Sequence, residues 1–494
     1  MKRIAIAIAA ALVAIPATLD ACTNLIVTSG ASADGSVMIT YTCDGEFHPR
    51  MSYTPPADHA PGDSLELRGW GGTLMGKIAQ VPHTYGVVQL MNEHQLVIGE
   101  TTFTGREELR DPDGILHYWW LMRIALQRCR TAREAVETMG ALVEEYGYAS
   151  TGESISIGDP KEAWLFEISG KGPGRRGAVW VAVRIPDGTI CAHANQSVIR
   201  EFPLHDGKNC LYAPDVIDFA IEKGYYDPAS GKPFSFSDAY CPAPPQKRRY
   251  CATRVWSLFR RAAPSREFSP DYHRGVKDAE PYPLWIEPDG KLTRDDVFAL
   301  MRDHYEGTPY DATDGYKTGT PNHTKFRTIC TASTINAFVV SLDAKRPEPL
   351  AASIWLAMGK PDTTVFLPLY YGVETLPPGA GTGGNTHDYA LFAKQHFEDA
   401  DIKAAKADLI HTKVLELEKI AEADYGPMHQ TLEKELFPAE RAFIESRPAF
   451  EKEFAALYAK DKAKALKKLD AYVAAAFESV AKVTDKLIAE ASAK

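Results

Sequence analysis

The stretch Cys22-Thr23-Asn24-Leu25-Ile26-Val27 decides the expected fold of this 494-residue chain. Its apolar half predicts a buried strand, residues 30–35 predict a turn, and residues 36–41 predict a second strand. A hairpin of this kind would hold Cys22 rigidly in a sheet, which is what a nucleophilic side chain requires. Cys22 is therefore the first candidate for a catalytic group.

The residues that precede Cys22 have the pattern of a removable leader. Met1-Lys2-Arg3 supplies positive charge, and residues 4–17 form an apolar run that is too short to span a membrane. Residues 1–21 are therefore predicted to be a signal peptide, and the protein is expected to be exported, either to the periplasm or as a secreted protein. The sequence after this leader contains no run long and apolar enough to cross a bilayer.

Removal of this leader would make Cys22 the first residue of the mature chain. An N-terminal cysteine carries a thiol with a pKa of about 8.5 and an α-amine with a pKa of about 7.7–8.0. The amine can serve as the general base for the thiol of the same residue, which is the chemistry of hydrolases with an N-terminal nucleophile.

The leader also permits a different interpretation. Leu19-Asp20-Ala21-Cys22 resembles a bacterial lipoprotein box, in which the cysteine is lipidated before cleavage. Lipidation would consume the sulfur and the amine that catalysis needs. The leader by itself leaves both interpretations open, and the sequence that follows Cys22 favours the free thiol over a lipoprotein anchor.

Composition argues against several other functions. Lysine and arginine number 55 while aspartate and glutamate number 65, so the formal net charge is −10. An acidic chain is a poor candidate for nucleic-acid binding. The eight cysteines are scattered without a Cys-x-x-Cys pair, and there is no His-Glu-x-x-His motif. These patterns argue against a disulfide framework and against a metal site, and most cysteines are expected to be small buried residues.

Further along, the sequence predicts a mixture of strands and helices. Residues 87–91 and 96–99 are expected to be strands around a turn, and two amphipathic helices are expected to follow them. Residues 152–195 have the pattern of a four-stranded β-meander. After about residue 387 the composition changes to Ala, Lys, Glu and Leu with scattered prolines, which predicts several helices up to residue 494.

Several short motifs occur in an order that resembles one enzyme family. The matching blocks are Cys22–Val27, Asp34–Ser36, Met91–Leu96, Gly99–Phe103, Gly147–Ser154, Gly170–Gly174, Ala192–Ser197 and Met301–Thr308. In this order they resemble the secreted dipeptidases among the N-terminal nucleophile (Ntn) hydrolases, which are relatives of choloylglycine hydrolase and penicillin acylase. The resemblance extends from Cys22 to about Tyr371.

This resemblance implies a fold and an activity. The fold is α+β, with a four-layer αββα Ntn-hydrolase sandwich over residues 22–386 and an added C-terminal helical region at residues 387–494. The activity is hydrolysis of peptide or related amide bonds in small peptide substrates, without a cofactor or a metal. Homo-oligomerisation is left open.

Carried over one residue at a time, the resemblance implies four catalytic groups. Cys22 matches the nucleophile, with its own α-amine as the proton shuttle. Asp44 matches an aspartate that would orient and stabilise the protonated amine. Asn195 resembles the asparagine whose side chain helps to hold the oxyanion. Arg254 is similar to an arginine near the nucleophile, and its charge would favour the thiolate.

The sequence departs from the family pattern in two places. Tyr41 stands three residues before Asp44, where many relatives have an arginine, and a phenol can donate a hydrogen bond but supplies no charge. Glu100 and Thr101 stand where an asparagine is expected beside the glycine that follows the Asn92 hairpin. Tyr41, Asn92, Glu100 and Thr101 are accordingly expected to contact the substrate.

Alternatives remain for single residues and for the whole chain. Asp44 and Asn92 are also typical turn residues, Asn195 could cap a strand end, and Arg254 could serve an ion pair. For the whole chain, one alternative is an amidase that acts on N-acyl amino acids or bile-salt-like conjugates, because a fold does not determine its substrate. The other is a lipid-anchored binding protein that uses Cys22 as its anchor.

Overall fold

The computed structural model describes residues 22–45, 51, 53–69, 72–316, 319–323, 326–381 and 409–493. The predicted signal peptide lies outside the described residues, and so does the predicted boundary between residues 386 and 387.

The predicted N-terminal hairpin is confirmed. Strands β1 (Asn24–Val27) and β2 (Val37–Asp44) pair in antiparallel register, with Ile26 opposite Ile39. A bridge between Thr23 and Thr42 continues the pairing toward Cys22. Thr23 is thus tied to β2 by a hydrogen bond from the Thr42 N–H to its carbonyl and by one from its own N–H to Oγ1 of Thr42.

The hairpin lies in the middle of a seven-stranded antiparallel sheet. In spatial order this first sheet consists of β16 (Trp285–Ile286), β14 (Ile190–His193), β1, β2, β17 (Thr334–Leu342), β18 (Ala352–Ala357) and β19 (Leu367–Tyr370).

A second antiparallel sheet has eight strands. In spatial order they are β15 (Cys210–Tyr212), β13 (Ala178–Arg184), β12 (Ala163–Gly170), β11 (Gly152–Gly158), β10 (Val97–Phe103), β9 (Met91–Asn92), β8 (Val87–Val88) and β3 (Tyr53–Thr54). Two small ribbons pair β4 (Ala57–Asp58) with β7 (His83–Thr84) and β5 (Ser64–Arg68) with β6 (Leu74–Ala79).

The structure corrects the prediction of a four-stranded meander. Strands β11, β12 and β13 are consecutive neighbours in the second sheet, as expected. The fourth strand, β14, crosses to the first sheet, where His193 pairs with Asn24 of β1. Every residue of β11, β12 and β14 is buried. The side-chain pattern of these strands therefore does not indicate which sheet each strand joins. This crossing brings residues 193–195 next to Cys22.

The chain also forms helices, whose bounds are α1 (Tyr118–Arg128), α2 (Ala132–Tyr146), α3 (Val216–Glu222), α4 (Phe236–Tyr240), α5 (Pro245–Ala262), α6 (Asp271–Arg274), α7 (Arg294–Met301), α8 (Glu348–Ala351), α9 (Ile410–Ala423), α10 (Tyr425–Glu435), α11 (Phe437–Tyr458) and α12 (Lys462–Ser492).

Three buried cores hold the helices and sheets together. Ile26 of the first sheet shares a core with Leu165 of the second. Its neighbour Leu25 points to the opposite face, as strand geometry requires, and shares a core with residues of α5 and α7. Helices α1 and α2 share the third core with Ile155 and Phe166 of the second sheet. The fold is therefore a mixed α and β structure, as the sequence predicts.

The C-terminal helices pack against the edge of the first sheet. The hydroxyl of Tyr370 in β19 donates to Glu451 of α11 at 3.0 Å. Pro448 lies inside α11, so it does not end a helix as the proline pattern had suggested. Within the described ranges, none of the helices is long and apolar enough to cross a membrane.

Candidate active site

The predicted catalytic residues converge from distant parts of the chain on Cys22. Cys22 precedes β1, Asp44 ends β2, Asn195 follows β14 and Arg254 lies in the middle of α5. The hairpin and the crossing strand bring three of them to neighbouring strand ends, and α5 packs on the outer face of the same sheet. All four side chains are buried.

Arg254 binds the backbone that carries the thiol. Its Nη1 donates to the carbonyl oxygen of Cys22 at 2.6 Å and to Oγ1 of Thr23 at 2.9 Å. Its Nη2 donates to the carbonyl of Ala194 at 3.2 Å and to Oδ1 of Asn195 at 2.9 Å. The side chain has no exposed surface. The guanidinium therefore joins β1 to the end of β14 and orients both Cys22 and Asn195.

Asn195 has a constrained backbone and a fixed amide orientation. Its φ of +55° lies in the left-handed region, which asparagine tolerates better than most residues. Its Oδ1 faces Arg254, and its Nδ2 donates to the carbonyl of Thr102 at 2.7 Å. An amide nitrogen carries two hydrogens, and the bond to Thr102 uses one of them.

Asp44 is held by a partner that the sequence analysis missed. Its Oδ1 accepts from Oγ1 of Thr334 at 2.5 Å, and its Oδ2 accepts from the guanidinium of Arg327. Burial raises the pKa of Asp44, and the nearby charge of Arg327 opposes that rise. Arg327 lies in the loop before β17, where sequence pattern gave no sign that it would reach Asp44.

The thiol of Cys22 is hydrogen-bonded to a phenol. Its Sγ donates to the hydroxyl of Tyr41 at 3.6 Å, and that hydroxyl donates to Oε1 of Glu100 at 2.8 Å. A hydrogen bond with Cys43, followed by burial and the negative charge of Glu100, raises the pKa of the Cys22 thiol well above its ordinary value. The net effect of the surroundings is thus opposite in sign to the effect expected of Arg254.

Glu100 has a second carboxyl group beside it. Glu153 stands opposite Thr102 in the pairing of β10 and β11, on the same face as Glu100. The hydroxyl of Thr102 donates to Oε1 of Glu153 at 2.7 Å. Burial raises the pKa of Glu100, and burial with the charge of Glu100 raises that of Glu153 well above its usual range. Glu153 belongs to the Gly147–Ser154 motif, whose sequence predicted no role for it.

Thr101 takes part in a bond between the two sheets. Its hydroxyl lies 2.7 Å from Nδ1 of His193, whose Nε2 lies 2.7 Å from the hydroxyl of Ser156. Burial, together with the charge of Arg254, lowers the pKa of His193 to about 3, so this imidazole is neutral at physiological pH. These bonds favour a structural role for Thr101 over the predicted contact with substrate.

Asn92 is the last residue of β9, directly before a turn, and its hydrogen bonds use its whole amide group. Its Nδ2 donates at 2.8 Å to the carbonyls of Leu126 and Cys129 at the end of α1. Its Oδ1 accepts from the backbone N–H groups of His94 and Leu96. This saturation favours the turn interpretation over the predicted substrate contact.

Away from Cys22, three buried side chains could hold a metal ion. They are His304, Cys330 and Asp362, and each offers one ligand atom within 4.8 Å of the other two. Zinc accepts all three of these ligand types. Asp362 also accepts hydrogen bonds from Asn322 at 2.9 Å and from Tyr425 of α10 at 2.8 Å. The expectation that the protein needs no metal stays a prediction.

The expectation for the other cysteines is confirmed. All eight cysteines are free and buried, which agrees with their interpretation as small core residues. This also agrees with the expectation that the cysteines do not build a disulfide framework.

Comparison with known proteins confirms the family resemblance. The model of peptidase family C69 matches residues 72–398, so this chain belongs to that family. A probable dipeptidase of Salmonella dublin is 27% identical over 384 residues, covering 74% of this chain and 84% of the relative. A dipeptidase of Bifidobacterium longum is 28% identical over 402 residues, covering 72% of each chain. Dipeptidase A of Lactobacillus helveticus is 25% identical over 381 residues, covering 72% of this chain and 76% of the relative.

Proposed function

We propose that this member of peptidase family C69 is an exported cysteine dipeptidase, in which removal of residues 1–21 makes Cys22 the N-terminal nucleophile. The observation that carries the proposal is the pair of hydrogen bonds from Arg254 to the Cys22 carbonyl and to Asn195. One buried guanidinium thus sets the distance between the nucleophile and a side-chain amide that can stabilise an oxyanion. The names of the relatives supply the substrate class.

The first half of the reaction forms a thioester. The neutral α-amine of Cys22 accepts the thiol proton, and Sγ attacks the carbonyl carbon of the scissile peptide bond. The second Nδ2 hydrogen of Asn195 and backbone N–H groups stabilise the tetrahedral oxyanion. The ammonium then gives its proton to the leaving nitrogen as the carbon–nitrogen bond breaks, which releases the C-terminal amino acid.

The second half restores the enzyme. The same amine takes a proton from a water molecule, and the hydroxide oxygen attacks the thioester carbonyl. The carbon–sulfur bond breaks, the thiolate recovers the proton from the ammonium, and the N-terminal amino acid leaves as a carboxylic acid. Asp44 favours the ammonium form of the amine during both halves, and Arg327 orients that carboxylate.

The raised pKa of the thiol is compatible with this sequence of steps. A thiol with a raised pKa is protonated at rest, so it needs the neighbouring neutral amine to accept its proton before it attacks. The burial of Cys22, at 7% exposure, also favours a catalytic thiol over a lipid anchor. We further infer that the three-core packing corresponds to the four-layer αββα sandwich of Ntn hydrolases.

The proposal is tested on the mature protein by mass spectrometry and activity together. The intact mass and the N-terminal peptide, with and without iodoacetamide, are expected to show a free Cys22 at position one whose alkylation abolishes hydrolysis of L-alanyl-L-alanine. Cys22→Ala is expected to lose turnover while it keeps the fold. Cys210→Ala, which removes a buried thiol from edge strand β15, is the matched control and is expected to stay active. An acylated or uncleaved Cys22 in active material would overturn the proposal.

A further inference from the structure

We propose that Glu100 and Glu153 bind the free α-ammonium group of the substrate, which restricts the enzyme to peptides with an unblocked N-terminus. This inference rests on the proposed function and deepens it. It assigns a role in specificity to two carboxyl groups and so separates a dipeptidase from an N-acyl amidase.

Glu100 lies close to the nucleophile. A single phenol oxygen, that of Tyr41, connects Sγ of Cys22 to Oε1 of Glu100. In a dipeptide the α-nitrogen is attached to the carbon next to the scissile carbonyl, so it must lie close to the attacking sulfur. A carboxylate at the distance of Glu100 is therefore where the ammonium of an aminoacyl group has to be received.

The hydrogen bonding of the two carboxyl groups is uneven between their oxygens. Glu100 receives a hydrogen bond on Oε1 from Tyr41, and Glu153 receives one on Oε1 from Thr102. Oε2 of each carboxyl group is buried without a well-placed donor among the described residues, and the two carboxyl groups lie close enough to share a proton. Buried polar atoms without partners are uncommon, and each calls for a physical explanation.

A third buried glutamate in the same sheet provides the internal comparison. Glu167 of β12 accepts from the hydroxyls of Ser154 and Ser197 and from the backbone N–H groups of Val198 and Ile199, so both of its oxygens are bonded. Glu167 is thus a buried carboxyl group whose hydrogen bonding is complete. The hydrogen bonding of the two carboxyl groups nearest the nucleophile is not complete.

In the part of the chain that the structure describes, no cationic side chain forms an ion pair with Glu100 or Glu153, since Arg254 binds the Cys22 carbonyl and Arg327 binds Asp44. Two adjacent buried carboxyl groups repel each other when both are ionised, so without a cation they share a proton, in agreement with their raised pKa values. A substrate ammonium would replace that proton with a positive charge and three hydrogen-bond donors. An N-acyl group would supply neither.

The test compares L-alanyl-L-alanine with propionyl-L-alanine, which differs only by lacking the α-amino group. The mature enzyme is expected to prefer the dipeptide by at least about 100-fold in kcat/KM, because a site built for a polar group rejects an analogue without it. Glu153→Gln is expected to raise KM for the dipeptide and to reduce this preference at least about tenfold. Glu167→Gln, equally buried and on the next strand, is the matched control and is expected to keep the preference.

Binding to Cys22→Ala, measured by calorimetry, separates this inference from the proposed function. Tighter binding of the dipeptide than of propionyl-L-alanine, lost in the Cys22→Ala/Glu153→Gln double variant, supports the ammonium subsite without requiring turnover. Equal binding of the two compounds, or a preference that survives Glu153→Gln, overturns the subsite. Absence of hydrolysis by mature protein with a free Cys22 overturns the proposed function instead.

Discussion

The guanidinium of Arg254 donates a 2.6 Å hydrogen bond to the carbonyl oxygen of Cys22, although 232 residues separate the two in sequence. The same guanidinium bonds Asn195. The distance between the proposed nucleophile and the proposed oxyanion donor therefore depends on one side chain of helix α5. A residue that replaces Arg254 must match the shape of the guanidinium as well as its charge.

Arg254→Lys is expected to be almost as inactive as Arg254→Gln. A lysine keeps the positive charge, but its single ammonium cannot reproduce the planar fork that reaches Cys22, Ala194 and Asn195 together. Small displacements of catalytic groups lower rates by about 100-fold, so kcat is expected to fall by at least that factor in both variants. Steady-state kinetics on folded protein provides the measurement. A lysine variant with near-normal kcat would show that charge alone is required.

Cys43→Ala is expected to lower the pKa of the Cys22 thiol. The contact with Cys43 is the largest of the effects that raise this pKa, so its removal increases the thiolate fraction at any pH below the pKa. The rate of iodoacetamide labelling at Cys22, followed in the N-terminal peptide, should rise at a lower pH than in the parent protein. Cys210→Ala should leave the profile in place. An unshifted profile for Cys43→Ala would contradict this assignment.

Glu167 is expected to make folding stability fall as the pH rises. Burial raises the pKa of Glu167 to about 7, whereas a glutamate in an unfolded chain has a pKa of about 4.3. Between about pH 4.3 and about pH 7, the folded state therefore binds this proton more tightly than the unfolded state does. The free energy of unfolding should therefore decrease by about 3 kcal/mol from this group between roughly pH 4 and pH 7. Urea unfolding of Glu167→Gln should show a smaller decrease than the parent across that window. An equal slope would contradict the expectation.

Glu440→Ala is expected to destabilise the packing of the C-terminal helices. Both oxygens of Glu440 in α11 accept from Arg302, at 2.8 and 2.7 Å, and Oε2 also accepts from the backbone N–H of Phe366. Removing one partner of a largely buried pair leaves an uncompensated charge, which costs about 3–5 kcal/mol.

The matched control for this variant lies on the surface of the same helix. Glu453→Ala removes the exposed ion pair with Lys468 and is expected to cost less than about 1 kcal/mol. Urea unfolding curves give both values. Equal losses in the two variants would show that the Arg302–Glu440 pair contributes no more than a surface contact.

Part of the candidate site could be predicted because its signals are local. The hairpin follows from an apolar run, a turn and a second apolar run, all within residues 22–44. Cys22, Asp44, Asn195 and Arg254 were identified through short motifs, each readable without knowledge of the others. Arg327 and the proposed role of Glu153 could not be predicted, because they depend on which residues these side chains contact across the fold.

The sequence by itself determined the N-terminal hairpin, the buried cysteines, the class of mixed α and β structure and the family to which the chain belongs. These features depend on the local pattern of apolar residues and on residue identity, and both can be read directly from the sequence. Only the tertiary structure decided that β14 crosses to pair with β1, that Arg254 holds the backbone of Cys22, and that Glu100 lies beside Glu153. Those relationships join residues far apart in sequence, and strand pairing and side-chain packing create them only when the whole core is buried.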